Sequence, residues 1–328
     1  MSNFTLIKLK FNGPVHFGAG REDEYDYSPG ILHSDTLSAA LASVRASLGK
    51  TQDLKEFLSS FCISSAFPFV GERLFLPKPM SLLNVDVKDR EEKDVRKQLK
   101  TISYIEMPLW KKLVAGEELT FDSAMLQKEY LTMAGNDFKV PFRKQLNQRV
   151  SVSREGYDDS DPFYFEWIFF RPDAGLYCMT DAEGDSLKEL MYLFAELGES
   201  GLGTDRNVGG GHFDVTSETT TLPDVNDADY ITLLSLYLPT ADELTELDLT
   251  ASQYSLAQRG GYISGSTDNT LRHLRKKSVN MFTEGSLFPM PKKELRGCVV
   301  DLHPEWNSDA MHPVWRSGIP FYLPIRKK

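Results

Sequence analysis

The segment Gly198–Phe213, which reads G-E-S-G-L-G-T-D-R-N-V-G-G-G-H-F, determines how the rest of the chain is interpreted. Five of the eleven residues from Gly201 to Gly211 are glycines. Glycine adopts positive φ at little steric cost, so such a loop can expose several main-chain N–H groups on one side. Consecutive N–H groups form a concavity that holds an anion, and a neighbouring arginine adds a charged fork for phosphate. The segment therefore predicts a loop that grips a polyanion through its main chain.

The elements on either side separate this loop from common nucleotide-binding motifs. An amphipathic pattern precedes it and a strand-like run, His212–Thr216, follows it, whereas a dinucleotide-binding loop connects a strand to a helix. A Walker loop ends in glycine, lysine and serine or threonine, and the segment has no such ending. A long glycine-rich connection without a ligand is the alternative interpretation.

The composition is that of a globular protein with two domains. The chain has 328 residues, of which 41% are hydrophobic and 11% aromatic, and a domain takes roughly 150 residues. Cys62, Cys178 and Cys298 lie far apart, which disfavours a zinc site and a disulfide framework. The N-terminus lacks the pattern of a signal peptide, and no apolar run reaches about 18 residues. We expect a soluble, cytoplasmic protein that has no membrane segment, metal or other cofactor.

The charge is acidic in total but unevenly distributed. The formal net charge is −10, and screening confines its repulsion of a polyanion to about 8–10 Å. Two segments hold basic residues and no acidic ones: residues 143–154, with Arg143, Lys144, Arg149 and Arg154, and residues 270–282, with Arg272, Arg275, Lys276 and Lys277. This distribution predicts a basic groove on an otherwise acidic protein.

The first predicted elements are a strand and a capped helix. Alternation in Phe4–Phe11 indicates a half-buried strand with Ile7, Leu9 and Phe11 on one side. Ser34 or Asp35 is a suitable N-cap for the helix that follows. The start of a helix carries about half a positive charge and free N–H groups, so this one is a second candidate phosphate site. An ordinary capped helix is the alternative.

The elements around the glycine loop complete a regular order. The apolar run Phe163–Phe170 is predicted to form a hairpin with Leu176–Thr180. Ser186–Glu189 has the pattern of a capping box that begins the helix leading into the loop. The order of residues 1–216, apart from an insertion at about 82–142, is then β-α-β-β-α-β, which is ferredoxin-like. We predict an α+β fold with a second, smaller ferredoxin-like domain at 217–328. Such a sheet leaves one face free, where single-stranded RNA commonly lies.

Four motifs in this order resemble the RAMP superfamily. They are Gly13-Pro14 with His16, the run I-L-H-S-D-T-L at 31–37, the glycine loop, and the run M-F-T-E-G-S-L-F at 281–288. The chain most resembles the subunits of type III-A CRISPR (Csm) effector complexes that cap the 5′ end of the crRNA. The resemblance implies two RRM-like RAMP domains, and it implies that the insertion at about 82–142 forms a thumb.

The resemblance also implies a function. Such subunits are non-catalytic RNA-binding scaffolds in antiviral defence that grip the 5′ repeat-derived handle of the crRNA. They join a large polymerase-like subunit to the backbone of repeated RAMP subunits, and their thumb wedges between bases of the nearby guide–target duplex. We expect the same partners here, and no membrane.

The predicted RNA-binding residues combine the polar residues of the motifs, the glycine loop and the basic segments. They are His16, His33, Ser34, Thr36, Arg143, Lys144, Arg149, Ser151, Arg154, Gly201, Gly203, Thr204, Arg206, Asn207, Gly209, Gly210, Gly211, Arg259, Arg272, Arg275, Lys276 and Lys277. Asp205 is expected to hold Arg206 in place rather than to meet RNA. If four of the cations contact phosphates, log affinity should fall with log salt at a slope near −3, at about −0.7 per phosphate of a single strand.

Two enzymatic alternatives follow from the same residues. Some RAMP relatives are metal-independent endoribonucleases that process CRISPR repeat RNA with a histidine as general base, and His33 beside Ser34 and Asp35 is the candidate here. No second histidine at helical spacing and no nearby lysine completes an acid–base pair with His33. An enzyme acting on a small phosphate compound is the other alternative.

One group of residues resembles a metal site at first sight. It consists of His303 and His312 with Asp301, Glu305 and Asp309. Pro304 and Pro313 in the same stretch favour a structured loop instead.

Overall fold

The computed structural model describes residues 2–18, 25–81, 83–89, 92–151, 161–263, 271, 274–304 and 312–327. The strands are β1 (Ser2–Phe11), β2 (Phe67–Val70), β3 (Arg73–Pro77), β4 (Val85–Val87), β5 (Tyr104–Glu106), β6 (Leu119–Phe121), β7 (Leu126–Gln127), β8 (Tyr130–Leu131), β9 (Phe142–Ser151), β10 (Asp161–Phe170), β11 (Ala174–Thr180), β12 (Phe213–Leu222), β13 (Tyr230–Leu233), β14 (Leu256–Arg259), β15 (Val279–Phe282), β16 (Leu287–Pro289), β17 (Val299–Asp301), β18 (Trp315–Ser317) and β19 (Tyr322–Ile325). The helices are α1 (Ser34–Ser47), α2 (Leu54–Ser59), α3 (Glu92–Thr101), α4 (Met107–Val114), α5 (Gly184–Ser200) and α6 (Ala241–Glu246). Among the described residues, no helix combines the length and the apolar character that a membrane span requires.

An eight-stranded sheet in the order β12-β1-β11-β2-β3-β5-β8-β7 lies at the centre of the fold. Strand β1 pairs with β12 and with β11, and β11 pairs with β2, all antiparallel. The predicted alternation in β1 is confirmed, because Ile7, Leu9 and Phe11 face the core that α1 and α5 also line. Each fully buried Leu or Ile side chain stabilises the fold by roughly 1.5–3 kcal/mol. Leu202 near the start of the glycine loop and Phe213 just after its end belong to the same core, so this face of the sheet anchors both ends of the loop.

The insertion continues the sheet. Strands β5, β8 and β7 extend it beyond β3, while β4 and β6 form a separate parallel pair. Although the sequence of α3 is highly charged, Val95 is fully buried and Leu99 nearly so. Trp110 of α4 is also fully buried and donates its indole N–H to Pro77 O at 2.9 Å. This region therefore contributes buried side chains to a core that also contains Leu6 of β1, which the density of charge in the sequence obscured.

The predicted hairpin between Phe163–Phe170 and Leu176–Thr180 is wrong. Strand β10 pairs with β9 in an unbroken register from Phe170↔Phe142 to Asp161↔Ser151, forming a two-stranded ribbon outside the main sheet. Strand β11 leaves β10 after the turn and lies between β1 and β2. Every residue of β11 is buried, so it needs neighbours on both sides, whereas β10 exposes residues such as Tyr164.

Two helix starts also differ from the predictions. Helix α1 has His33 as its N-cap without a side-chain cap bond. Helix α5 begins at Gly184 with Glu183 as N-cap, so there is no capping box at Ser186–Glu189. The carboxylate of Glu189 instead pairs with Arg45 at 3.2 Å and with Lys50 at 2.8 Å. Glu189 therefore does not cap α5 but forms ion pairs with α1 and with the residues that follow α1.

The C-terminal residues form smaller sheets that pack on the first part of the chain. Strand β13 lies between β16 and β19, β14 pairs with β15, and β17 pairs with β18. The predicted strand at Tyr230–Leu238 is shorter than expected and ends at Leu233. Leu234, Phe321 and Ile325 belong to the same core as Leu6 and Trp110. Residues of both predicted domains therefore share one hydrophobic core.

Candidate RNA-binding site

The glycine loop, residues 201–211, closes on itself and on the segment Pro14–His16. The N–H of Leu202 donates to Gly211 O at 2.9 Å, which brings the two ends of the loop together. The N–H of Thr204 donates to His16 O at 3.1 Å. The neighbouring residue Val15 exchanges two 2.9 Å hydrogen bonds with Ile168 of the β9–β10 ribbon. The loop is thereby anchored to the ribbon through a short stretch that follows β1.

Close packing requires glycine at two positions of this loop. Gly203 has φ of 94°, and a Cβ there would lie 2.3 Å from His16 O. Gly211 has φ of 75°, and a Cβ there would lie 1.8 Å from Leu202 O. Both positions combine a left-handed backbone with a main-chain atom in the way, so any side chain displaces the loop. The packing of the loop on itself and on the Pro14–His16 segment thus explains these glycines.

The main-chain amides of the last three glycines are occupied. The N–H groups of Gly209 and Gly210 donate to Arg206 O and Asp205 O, both at 3.1 Å, and that of Gly211 donates to Pro14 O at 2.8 Å. The expectation that these amides face a ligand is therefore wrong. A short 3₁₀ turn, Arg206–Val208, forms the tip of the loop. The first N–H groups of this turn have no acceptor within the turn, and the residues of the turn are exposed.

Arg149 connects the loop to the ribbon. Its guanidinium forms an ion pair with Asp205 and lies 4.1 Å from the ring centre of Phe165 and 5.2 Å from that of Trp167. Such cation–π contacts contribute about 0.5–2 kcal/mol each. Asp205 has φ of 58°, which directs it into this pair. The expectation that Asp205 holds Arg206 is corrected, because Asp205 holds Arg149 instead.

His16 lies under the loop rather than on its surface. Its side chain is buried, with the ring centre 4.5 Å from that of Phe165 and Nδ1 2.8 Å from Glu166 O. Burial lowers the pKa of His16, because the charged imidazolium is poorly solvated there. The neutral imidazole donates from Nδ1 and packs the loop against β10. The side chain of His16 therefore does not contact a ligand directly and affects binding only by positioning the loop.

A buried cluster of Asp35, Arg259 and Arg316, here called the α1 cluster, covers the start of α1. Arg259 donates to both carboxylate oxygens of Asp35, at 2.8 and 3.1 Å, and Arg316 Nη1 lies 3.1 Å from Oδ2. Arg259 also donates to Thr36 Oγ1 at 2.8 Å. Burial raises the pKa of Asp35, but Arg316 and then Arg259 outweigh it and hold that pKa well below its usual range. Asp35 is therefore ionised at neutral pH.

The start of α1 is consequently closed to an outside anion, which corrects the predicted phosphate site there. Ser34 is buried, and its N–H donates to Ser65 Oγ at 2.8 Å. Its hydroxyl accepts from the N–H of Leu236 at 3.0 Å. Ser34 and Arg259 thus hold the C-terminal part of the chain against α1, and the partly exposed Thr36 lies at the rim of this contact.

His33 forms a second buried contact with the C-terminal part. Its Nδ1 lies 2.8 Å from Glu284 Oε1, which also accepts the hydroxyl of Ser65. Burial lowers the pKa of His33, but the Glu284 carboxylate outweighs it, so that the net pKa is raised. Burial raises the pKa of Glu284, and His33 together with Ser65 lowers it below its usual value. The pair is held in its charged form.

The second basic segment lies partly beside the α1 cluster. Burial, together with Arg316 and Arg259, lowers the pKa of Lys276 to about 7 against the opposing effect of Asp35. Arg275 is exposed and lies 5.6 Å from the ring centre of Tyr262. Lys277 is also exposed. Arg272 lies outside the described residues.

The first basic segment is divided between the two faces of the β9–β10 ribbon. Lys144 faces away from the glycine loop, where it contacts Glu166 Oε2 at 3.0 Å and Tyr27. Arg143 is on the other face, 4.9 Å from the ring centre of Phe169. Alternation along a strand requires this division. Arg154 and the side chain of Ser151 lie outside the described residues.

The predicted residues therefore form distinct groups. The glycine loop, His16 and Arg149 make one site, while His33, Ser34, Thr36 and Arg259 make the contact at α1 with Lys276 nearby.

The sequence did not identify Arg316 as a residue of this contact, because nothing around a lone arginine between Trp315 and Ser317 indicates that it is buried. The available signal was its partner Asp35: a carboxylate inside an apolar helix pattern needs a buried cation.

The candidate metal group is not assembled in the described part of the chain. No group of three or more His, Cys, Asp and Glu side chains in a position to hold a metal ion occurs there. His303 Nδ1 instead lies 2.8 Å from Asp301 Oδ2, and Asp301 also accepts from the N–H of Val314. Glu305 and Asp309 lie outside the described residues.

Comparison with known proteins shows which family the chain resembles. Residues 226–325 match the family model of the CRISPR Csm4 C-terminal domain. The CRISPR system Cms protein Csm4 of Mycobacterium tuberculosis (strain CDC 1551 / Oshkosh) is 28% identical over 329 residues, covering 98% of each protein. The chain is similar to Csm4 proteins over nearly its whole length. A Csm4 protein of Thermococcus onnurineus (strain NA1) is 23% identical over 298 residues, covering 88% of this chain and 87% of that protein.

Solved structures that contain Csm4 have the same fold as this chain. A chain of the Csm1–Csm4 cassette in complex with cA4 superposes with a TM-score of 0.65 at 18% identity, covering 100% of this chain and 99% of that one. A chain of the Csm3–Csm4 subcomplex in the type III-A CRISPR-Cas interference complex gives 0.61 at 19% identity, covering 99% and 100%. The shared fold is a mixed α/β architecture with one large sheet and few helices. The family resemblance that the motifs indicated is confirmed.

Proposed function

We propose that this chain is a non-catalytic RNA-binding subunit of a type III-A CRISPR interference complex in antiviral defence. It grips the 5′ handle of the crRNA and joins the large polymerase-like subunit to the backbone RAMP subunit. The similarity to Csm4 proteins supports this, since solved structures of the same fold are a Csm1–Csm4 cassette and a Csm3–Csm4 subcomplex. The cytoplasm is the compartment in which this complex meets RNA.

The arrangement of the glycine loop carries the proposal. The loop presents Arg206 and Asn207 at its exposed tip, beside the Arg149 guanidinium that Asp205 holds against Phe165 and Trp167. Cations in a groove track the phosphates of a single strand, and the buried rings of Phe165 and Trp167 hold one such cation, Arg149, in place. Because Arg149 is already ordered by its contacts, it loses little conformational freedom on meeting a phosphate.

The predicted contacts divide by accessibility. We assign direct RNA contacts to Arg206, Asn207 and Arg149, whereas the hydroxyl of Thr204 is buried and its N–H donates to His16 O. The glycines, Thr204 and His16 position these groups, because their polar atoms are engaged within the chain or buried. Ser34 is buried at the start of α1 and instead holds the C-terminal part of the chain. The exposed cations Arg275 and Lys277, with the partly exposed Lys276, extend the basic surface on the C-terminal part.

The proposed architecture consists of two ferredoxin-like domains, residues 1–216 and 217–328, with a thumb-like insertion at about 82–142. The order β12-β1-β11-β2 with α1 and α5 on one face supports the first domain, since the ferredoxin-like pattern yields this order. Strands β5, β7 and β8 place the insertion at the far end of the sheet. There, together with the β9–β10 ribbon, it is positioned to contact the guide–target duplex.

The environment of His33 favours a scaffold over the alternative endoribonuclease. A general base must accept a proton from the ribose 2′-OH, so it has to be neutral before reaction. Glu284 holds His33 in the charged form by raising its pKa, and the same carboxylate occupies Nδ1. A protonated, ion-paired imidazole is a poor base near neutral pH.

Two measurements test this proposal. Affinity purification of the chain from cells that express its complex should recover short RNAs that share one uniform 5′ sequence. Incubation of the purified chain with repeat RNA in EDTA should leave the RNA intact. Recovery of RNAs with random 5′ ends would contradict the proposed grip. Specific cleavage that disappears in His33→Ala would establish the endoribonuclease instead.

A further inference from the structure

A cavity of about 660 Å³ lies at the base of the β9–β10 ribbon, separate from the glycine loop. Its walls come from the turn between β7 and β8, the residues that lead into β9, and the end of β10. Sites for small ligands usually occupy about 300–1,000 Å³. None of the residues that line the cavity is acidic, although the chain as a whole carries a net charge of −10.

Aromatic rings form much of the wall. Phe138, Phe142, Phe169 and Phe170 line the cavity, and each is only partly buried, so their rings contribute open apolar surface. Phe142 and Phe170 are fixed edge to face with ring centres 5.4 Å apart. Partly exposed rings of this kind offer stacking platforms for a planar ligand.

The cations around the rings are only partly neutralised. Arg171 is held by Asp173, with Nε 3.0 Å from Oδ1, and Lys139 is close enough to help lower the pKa of that carboxyl. By contrast, Lys128 and Arg143 line the cavity without forming an ion pair to any described residue. Lys128 has φ of 55°, a strained conformation for lysine at the turn between β7 and β8. The cavity therefore combines apolar walls with uncompensated positive charge.

We propose that this cavity binds one nucleotide, with its base against the phenylalanine rings and its phosphate between Arg143 and Lys128. The Arg143 guanidinium lies 4.9 Å from the Phe169 ring centre, so it is next to the surface that would stack on the base and can pair with the attached phosphate. The nucleotide is either free or part of an RNA strand whose base turns into the cavity. The second case rests on the proposed function, whereas the first is independent of it.

The two sources are distinguished by two titrations of the full-length chain. In the first, AMP is titrated by calorimetry, with inorganic phosphate as a parallel probe. In the second, a single-stranded RNA with one 2-aminopurine is added, and the fluorescence of that base reports stacking. Saturable AMP binding identifies a free nucleotide, and a change confined to the strand identifies an in-strand nucleotide. Phosphate binding as tightly as AMP, or no signal from either probe, overturns the proposal.

Variants locate the signal. Arg143→Gln removes an exposed cation, and Phe169→Leu removes a stacking surface; each is expected to weaken binding about tenfold. Lys112→Gln makes the same charge change on α4 outside the cavity and should have no effect. Phe138→Leu repeats the stacking test on a second element, should Phe169→Leu fail to fold. An equal loss in Lys112→Gln, or wild-type affinity in both Arg143→Gln and the folded phenylalanine variants, would overturn the assignment. The AMP titration does not involve the glycine loop, so its failure is distinct from failure of the glycine-loop site.

Discussion

Replacing Asp35 with asparagine removes the carboxylate of the α1 cluster while keeping its shape. The wild-type carboxylate is fully buried and accepts from Arg259 at 2.8 and 3.1 Å, with Arg316 3.1 Å away. The substitution leaves two largely buried guanidiniums without a counter-charge. Removing one partner of a buried ion pair is destabilising by about 3–5 kcal/mol. Against a typical free energy of unfolding of about 5–15 kcal/mol, this is a large fraction of stability.

Urea unfolding, followed by tryptophan fluorescence and circular dichroism, measures the effect. Asp173→Asn is the matched control, because Asp173 pairs with Arg171 at the surface, where such pairs contribute about 0–1 kcal/mol. Adding Arg316→Met to Asp35→Asn removes one uncompensated charge and should recover part of the loss. The reasoning is refuted if Asp35→Asn destabilises no more than Asp173→Asn, or if the double variant is no more stable than Asp35→Asn alone.

Further predictions concern the His33–Glu284 pair and the glycine loop. Since the pKa of His33 is raised in the folded chain, its contribution to stability is complete below the unfolded pKa of about 6.5 and is lost as pH rises through the folded value. Unfolding titrations across this range should show that loss in wild type and not in His33→Gln; identical pH profiles would contradict it. Gly211→Ala should disrupt the loop, because the added Cβ meets Leu202 O at 1.8 Å. Gly209→Ala meets nothing within 4 Å and should be destabilising by only about 1–2 kcal/mol. Equal melting temperatures for these two variants would show that the loop is not packed as described.

The sequence predicted the elements that depend on local pattern. The alternation of Ile7, Leu9 and Phe11 placed β1 correctly, and Gly201–Gly211 lies between a helix and a strand as expected. The ordered motifs also indicated the family. Each of these signals lies within a short segment of sequence, so it can be recognised without knowing which distant residues are in contact.

The sequence failed where a residue's partner is far away. Phe163–Phe170 is apolar enough to pair with either neighbour, and only the full burial of β11 decides that β10 pairs with β9. The amides of Gly209–Gly211 were expected to be free, but acceptors within the loop and at Pro14 use them. Arg316 reaches Asp35 from 281 positions further along the chain. Such pairings are set by packing of the whole chain, which local composition does not reveal.

The most direct test of the central claim is the salt dependence of RNA binding at the glycine loop. Fluorescence anisotropy would follow a labelled RNA with the repeat-derived 5′ end, for wild type, Arg149→Gln, Arg206→Gln and the exposed control Lys188→Gln. Each loop variant should bind more weakly and lower the slope of log affinity against log salt by about 0.7, because it lacks one phosphate contact. The control should match wild type. Wild-type affinity and slope in both loop variants would contradict the account.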